Sequence, residues 1–305
     1  MKAAPFAYVR PSSLADAVGE LARTDGGGKV IAGGQSLTPV LAMRLARPDT
    51  LVDINAVEGL DELSVDDGVV RIGATVRQRR AERDPITCVV PLLRMALPWV
   101  GHRELRSRGT VCGSLAHADP AAELPAVACC LDAQITVTGP DGERRVPARA
   151  FFTGAMTTAL GADDILTALR LPAVQPGEGF GFAEIARRHG DFALAGVAAR
   201  VRVGEGSRAE ATVTAFGVSD RPVTRDVGGE LASVLTGSAD TAERLAAALP
   251  DTLAEAAGQL VDTDGDVHAS RGYRRRLFRV LAGRELGKAY DRARRNTEEA
   301  ADEHR

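Results

Sequence analysis

Apolar residues along the first half of the chain alternate between a period near 3.6 and the short continuous runs of buried strands. Leu14, Ala17, Val18 and Leu21 fall at helical spacing behind Ser12-Ser13, whose hydroxyls suit an N-cap, and predict a helix over 14–23. Gly26-Gly27-Gly28 interrupts that pattern, and Lys29 to Ala32 reads as a buried strand. A tight turn at 33–36 then leads into a second helical pattern over 37–45. Leu51 to Ile54 and Val69 to Ala74 read as strands, the latter ending in a glycine turn. A helix within 91–100 ends at Pro98-Trp99, and 103–118 reads as loop-rich. Ala121 to Leu131 forms an apolar helical run, capped near Asp119 with Pro120 at its first position. Strands at 135–137 and 165–171 complete this half.

Two prolines and three glycines lie within 172–181, and the pattern predicts a domain boundary there. Beyond it, Val197 to Val203 and Thr212 to Val218 read as antiparallel strands. Helical patterns follow at 231–249, 253–260 and 270–286, and the charged stretch from Arg292 to Arg305 is expected to fray. The elements define an α+β protein with domains at 1–175 and 176–288 and a charged tail at 289–305.

Composition narrows the function classes. The chain has 305 residues, with 38 basic against 41 acidic side chains and a net charge of −3. That balance, with aromatics at 4%, argues against a nucleic-acid surface or a polybasic membrane contact. No apolar stretch is long enough to span a bilayer, and the first ten residues lack a signal-peptide pattern. Cys88, Cys112, Cys129 and Cys130 form no disulfide framework and no iron–sulfur ligand run, which suits reduced thiols in a cytoplasmic protein.

Two glycine-containing loops carry the candidate chemistry. Ala32-Gly33-Gly34-Gln35-Ser36 lies between a strand and a helix, where glycines let backbone N–H groups approach a phosphate. It lacks the lysine of a Walker A loop and the third glycine of a dinucleotide fingerprint, so a plain tight turn fits the pattern too. Thr110 to Glu123 again sets small residues before a helix start. His117 and Asp119 within it are too few for a metal site, and Asp119 suits an N-cap. No His/Cys/Asp catalytic constellation is present, so neither catalytic nor metal-ligating residues are assigned.

Four ordered segments point further. AGGQSLTPVLAMRLARPDTLVDI at 32–54, HRELRSRGTVCGSLAHADPAAELPA at 102–126, ARRHGDFALAGVAA at 186–199 and DVHASRGYRRRL at 266–277 resemble, in this order, the flavin subunits of molybdenum hydroxylases. These are the medium subunits of carbon monoxide dehydrogenase and the flavin subunits of xanthine dehydrogenase relatives. The resemblance implies a vanillyl-alcohol-oxidase (PCMH) type FAD-binding domain of two α/β subdomains, followed by a small α+β C-terminal domain. It sets Val30, Ile31, Ala32, Gly33, Gly34, Gln35, Ser36 and Leu37 against the FAD pyrophosphate. Thr110, Gly113, Ser114, Ala116 and His117 come from the second stretch, with Glu123 toward the ribose or adenine. Val100 and Gly101 would lie along the flavin or ribityl chain, Ile165 and Leu166 at the flavin edge, and Asp191 near the flavin face.

The same resemblance implies partners. A molybdenum-cofactor large subunit and a [2Fe-2S] small subunit would join this chain as a dimer of heterotrimers. Electrons would pass from the clusters through FAD to NAD, a quinone or another acceptor. Two departures stand out. Cys112 replaces the first glycine of a common pair, which would strain a position needing positive φ. Phe182-Ala183-Glu184 occupies a strand where relatives often have lysine, so no lysine contact carries over. A stand-alone FAD oxidase and a flavin-free scaffold subunit are the rival readings.

Overall fold

The computed structural model describes residues 2–204, 209–236 and 240–303, with backbone alone from 299 onward. In chain order the elements are β1 (Ala7–Val9), α1 (Leu14–Ala22), β2 (Gly28–Ile31), α2 (Leu37–Ala42), β3 (Thr50–Asp53), β4 (Leu63–Asp66), β5 (Val69–Gly73) and α3 (Gln78–Arg83). There follow α4 (Pro91–Ala96), α5 (Arg103–Arg108), α6 (Val111–His117), α7 (Glu123–Cys130), β6 (Gln134–Gly139), β7 (Gly142–Pro147), α8 (Ala148–Phe151), β8 (Phe152–Gly154), β9 (Thr157–Thr158) and β10 (Ile165–Pro172). The remainder is β11 (Glu178–Ala186), β12 (Ala193–Val203), β13 (Ala209–Phe216), β14 (Val223–Asp226), α9 (Gly228–Val234), α10 (Ala242–Thr252), α11 (Ala254–Leu260) and α12 (Arg271–Glu303).

These elements form two compact units, and the protein is α+β. The first comprises 1–88, 101–118 and 133–172. Its parallel sheet has the order β1-β3-β2, and its antiparallel sheet the order β4-β5-β10-β6-β7. The parallel sheet follows from β1-α1-β2 and β2-α2-β3 crossovers, with Ser13 capping α1 as its hydroxyl accepts from the Asp16 amide. In the antiparallel sheet β10 is central, buried at Ile165, Leu166, Ala168, Leu169 and Leu171, as a strand covered on both faces must be.

The second unit comprises 89–100, 119–132 and 173–305. Its sheet is a meander, β11-β12-β13-β14. Ala195, Val197, Ala199 and Val201 on one face of β12 join Leu245, Leu249, Phe278, Ala282, Leu286 and Ala289 in one core with α10 and α12. Small residues bring α12 close: a Cβ on Gly179 would lie 2.0 Å from the Ala289 carbonyl oxygen, and one on Gly181 would lie 2.4 Å from that of Glu285.

Several sequence expectations change. The 103–118 stretch is two short helices rather than loop, because Thr110 caps α6 and its small residues hide their helical period. The 231–249 pattern is two helices, interrupted where the Thr236 amide donates to Asp240; 237–239 lie outside the described residues. α7 starts at Glu123, and the Asp119 carboxylate instead accepts from the Ala121 amide in a turn. The proline- and glycine-rich boundary stretch contains the start of β11, which periodicity did not reveal. The charged end is helical to Glu303, held where Asn296 donates to the carbonyls of Gln175 and Glu178. Residues 304–305 lie outside the described residues.

Candidate functional site

In the first unit the strand–turn–helix at Val30 to Leu37 is built from backbone geometry. Val30 and Ile31 pair with Val52 and Asp53 on β3, and the chain then turns through Gly34 at φ +71°. Gly33 lies against the second stretch so tightly that a Cβ would come 2.4 Å from the Arg108 carbonyl oxygen and 2.8 Å from the Gly109 Cα. The two loops that the sequence singled out therefore meet backbone to backbone. Gln35 folds back, its amide donating to the Gly33 carbonyl at 3.2 Å, while Ser36 is exposed and makes no capping bond to α2.

A polar network locks this meeting. Asn55 donates from Nδ2 to the Ala32 carbonyl at 2.9 Å. Arg77 donates from Nη2 to Asn55 Oδ1 at 2.6 Å and from Nη1 to the Arg108 carbonyl at 2.7 Å. Gln78 adds Nε2 to the Thr110 carbonyl at 3.3 Å, and its amide donates to the Gly109 carbonyl at 2.9 Å. Behind Asn55, Asp53 accepts from the Asn55 amide at 2.9 Å and from the Tyr8 hydroxyl, with Arg10 Nε at 3.7 Å. Burial works against the Asp53 charge, but the Tyr8 and Asn55 hydrogen bonds and then Arg10 hold its carboxyl below the usual range. The sequence reading named none of Asn55, Arg77 and Gln78. Each is an isolated polar residue beside a strand or short helix, and only the fold aims it at a loop.

Thr110 is the N-cap of α6, its hydroxyl accepting from the Gly113 amide at 2.9 Å. Gly113 is required there, since a Cβ would meet that hydroxyl at 2.6 Å. Ser114 and His117 are half-buried and Ala116 is exposed on the same helix, which closes in left-handed Ala118 at φ +52°. Cys112 sits in the first turn of α6 with right-handed helical geometry, so the strain expected of a positive-φ cysteine is not there. Its thiol is 2% exposed, donates to the Ile72 carbonyl, and is pushed up to about 12 by burial. Ile165 and Leu166 are buried opposite Thr138 and Val137, before the bulge between Leu166 and Ala168. Gly101 takes φ +50° ahead of α5.

The second unit holds the remaining candidates, Val100, Glu123 and Asp191. Val100 follows a short 3-10 turn ending in Trp99, whose ring stacks on His189 at 6.0 Å and tilts against Phe182 at 6.5 Å. Glu123 opens α7 and is 8% exposed. Asp191 accepts from the Phe192 amide at 3.0 Å and pairs with Arg187 at 3.3 Å. It lines a polar recess with Asp119, Arg187, Asp266, His268 and Arg274. Arg274 is buried: it donates to the Leu194 and Gly217 carbonyls and pairs with Asp266. Among the described residues no group of three or more His, Cys, Asp or Glu side chains could hold a metal ion. Nor, among the described residues, is any helix long and apolar enough to cross a membrane.

Comparison with known proteins defines the class. Residues 4–174 match the FAD binding domain in molybdopterin dehydrogenase, and residues 180–289 match the CO dehydrogenase flavoprotein C-terminal domain. The chain belongs to this family of FAD-binding subunits of molybdenum-containing oxidoreductases. It is 37% identical to the 6-hydroxypseudooxynicotine dehydrogenase complex subunit alpha of Paenarthrobacter nicotinovorans, over 99% of this chain and 100% of that one. It is 31% identical to the carbon monoxide dehydrogenase medium chain of Hydrogenophaga pseudoflava, over 94% and 98%. Among solved structures, quinoline 2-oxidoreductase from Pseudomonas putida 86 superposes with a TM-score of 0.85 at 34% identity, over 97% of this chain and 100% of that one. The cofactor of the family is FAD, and the residues present fit it: two interlocked glycine-containing backbone loops suit a pyrophosphate.

Proposed function

We propose that this chain carries FAD as the electron-transfer subunit of its complex and performs no substrate chemistry of its own. The observation that carries the reading is the interlock of the Gly33–Gly34 turn with Arg108–Thr110, a cradle built from backbone. Val30 to Leu37 and Thr110, Gly113, Ser114, Ala116 and His117 hold the dinucleotide. Val100, Gly101, Glu123, Ile165, Leu166 and Asp191 supply the remaining contacts. Two domains, 1–175 and 176–288, divide the work, in keeping with family matches over 4–174 and 180–289.

Bound FAD supplies two-electron and one-electron redox chemistry that no side chain offers. The chain's own part is to fix and shield it: Arg77 and Asn55 hold the two loops together, and Asp53 keeps Asn55 oriented through its amide. Electrons arrive from a [2Fe-2S] small subunit, itself fed by a molybdenum-cofactor large subunit. They leave for NAD, a quinone or another acceptor, in a cytoplasmic dimer of heterotrimers. The medium-chain relatives, named as subunits of complexes, support this division of labour. The test is reduction of the purified chain's FAD by its co-expressed partners on adding substrate to the complex, alongside the isolated chain. FAD reduction in the complex alone is expected. Substrate turnover by the isolated chain would replace this reading with a stand-alone oxidase, and a complex that forms without flavin would leave a scaffold.

A further inference from the structure

In the first unit the two interlocked loops have their carbonyl groups taken up from behind. Asn55 Nδ2 donates to the Ala32 carbonyl at 2.9 Å, Gln35 Nε2 to that of Gly33 at 3.2 Å, and the Thr38 amide to that of Gly34 at 2.9 Å. On the facing stretch, Arg77 Nη1 donates to the Arg108 carbonyl at 2.7 Å, and the Gln78 amide to that of Gly109 at 2.9 Å. The Thr110 carbonyl accepts from the Ser114 amide and from Gln78 Nε2, both at 3.3 Å. The amides behave differently. Those of Gly33, Gly34, Gln35 and Ser36 donate to no protein acceptor among the described residues. Gly34, at φ +71°, is the left-handed residue that lets a short run of N–H groups curve around one anion.

This separation of donors from acceptors does not come from backbone alone. A bare loop carries a carbonyl acceptor for nearly every amide donor, and a carbonyl oxygen turned toward a phosphate oxygen repels it. Asn55 and Arg77 remove two of those acceptors from a distance, lying 23 and 31 positions along the chain from the carbonyls they hold. They also act as a pair, since Arg77 Nη2 donates to Asn55 Oδ1 at 2.6 Å. That bond fixes which way the Asn55 amide points. A flipped amide would set its Nδ2 against the guanidinium and its Oδ1 against the Ala32 carbonyl, so the donor alone faces Ala32. Asp53 holds the same orientation by accepting from the Asn55 backbone amide at 2.9 Å.

We propose that Asn55 and Arg77 determine the specificity of these loops for the diphosphate of FAD. By occupying the Ala32 and Arg108 carbonyls they leave a junction of donors, which favours a diphosphate over an uncharged flavin. The proposal rests on the FAD reading above. Both are positioning residues, acting through the backbone they hold.

The full-length chain, stripped of flavin, is titrated with FAD, ADP and riboflavin. ADP carries the diphosphate without the flavin, and riboflavin the flavin without a phosphate. The natural chain is expected to bind FAD more tightly than riboflavin. In Asn55→Leu and in Arg77→Met, affinity for FAD and for ADP should each fall about tenfold, as a freed carbonyl faces the anion, with riboflavin affinity unchanged. Asn55→Asp keeps the acceptor for Arg77 but adds a carboxylate, and should lose more than Asn55→Leu. Arg77→Lys retains one cationic donor and should recover part of the loss. Gln35→Met frees only the Gly33 carbonyl from a half-buried side chain, so it tests the same effect where the fold is least at risk; a fall of about threefold for FAD and ADP is expected. Equal losses for riboflavin and FAD would overturn the proposal and leave Asn55 and Arg77 as supports of the fold. A natural chain that binds riboflavin as tightly as FAD would overturn it too, with the cofactor reading intact. A natural chain that binds neither FAD nor ADP would overturn both.

Discussion

The Gly33 loop of the first unit and the Glu184 face of the second bury polar groups in opposite ways. Around Gly33 the polar atoms are matched: Asn55, Arg77 and Gln78 reach the Ala32, Arg108 and Thr110 carbonyls. Around Glu184 the fold leaves a buried oxygen without a hydrogen-bond partner among the described residues, and burial pushes the carboxyl up. A satisfied network rigidifies, whereas an unsatisfied one marks where a ligand or a proton completes the structure. The first region acts as a scaffold and the second as a responsive element.

The sharpest way to break the contrast is at Gly33. Gly33→Val forces side-chain atoms into the Arg108 carbonyl, and FAD content per chain should fall at least about tenfold, since backbone cannot yield as a side chain can. Absorbance of flavin released on denaturation measures it, and an unchanged circular dichroism spectrum assigns the loss to the loop. Retained FAD would show that the two stretches separate without consequence.

Glu184→Gln acts next, through pH. The folded-state carboxyl titrates near 8 against an ordinary value of 4.5, so between these values the folded chain holds more protons than the unfolded one. Stability is greatest below pH 4.5 as far as this group is concerned, and falls as pH rises toward 8. The glutamine variant lacks that dependence and should gain about 4 kcal/mol on the natural chain between pH 5 and pH 9 in urea unfolding. An equal difference at both pH values would remove Glu184 from the account.

Arg77→Ala strands Asn55 Oδ1 and the Arg108 carbonyl together, for a loss of about 1–3 kcal/mol, readable as a lowered urea midpoint. Thr110→Ala removes only the α6 cap, about 1 kcal/mol by the same measurement. The smallest effect is chemical. A thiol reagent at pH 8 should modify exposed Cys88 rapidly and leave buried Cys112 untouched until the chain unfolds. Prompt modification of Cys112 would mean that the α6 region opens readily.

The second-unit segments at 89–100 and 119–132 show why the fold was only partly legible. Their apolar pattern marks them as helical, but nothing in a local period says that they pack with residues beyond 173. Likewise, α6 escaped notice because Cys112, Gly113, Ser114 and Ala116 are small or polar, and its start depends on one hydroxyl bond from Thr110. The charged segment after Arg292 was expected to fray, yet it continues α12, anchored by Asn296 on two carbonyls.

By itself the sequence determined the two glycine-containing loops, the strand–turn–helix setting of the first and the family to which the chain belongs. These are local properties: glycine permits the turn, small residues permit close approach, and ordered motifs survive in the one-dimensional record. Tertiary structure alone decided that the loops meet at Gly33 and Arg108, that Arg77 and Asn55 lock them, and that Glu184 is buried with its Oε2 unpartnered among the described residues. Those facts depend on which distant segments desolvate one another, and burial is a property of the packed chain rather than of any residue's neighbours in sequence.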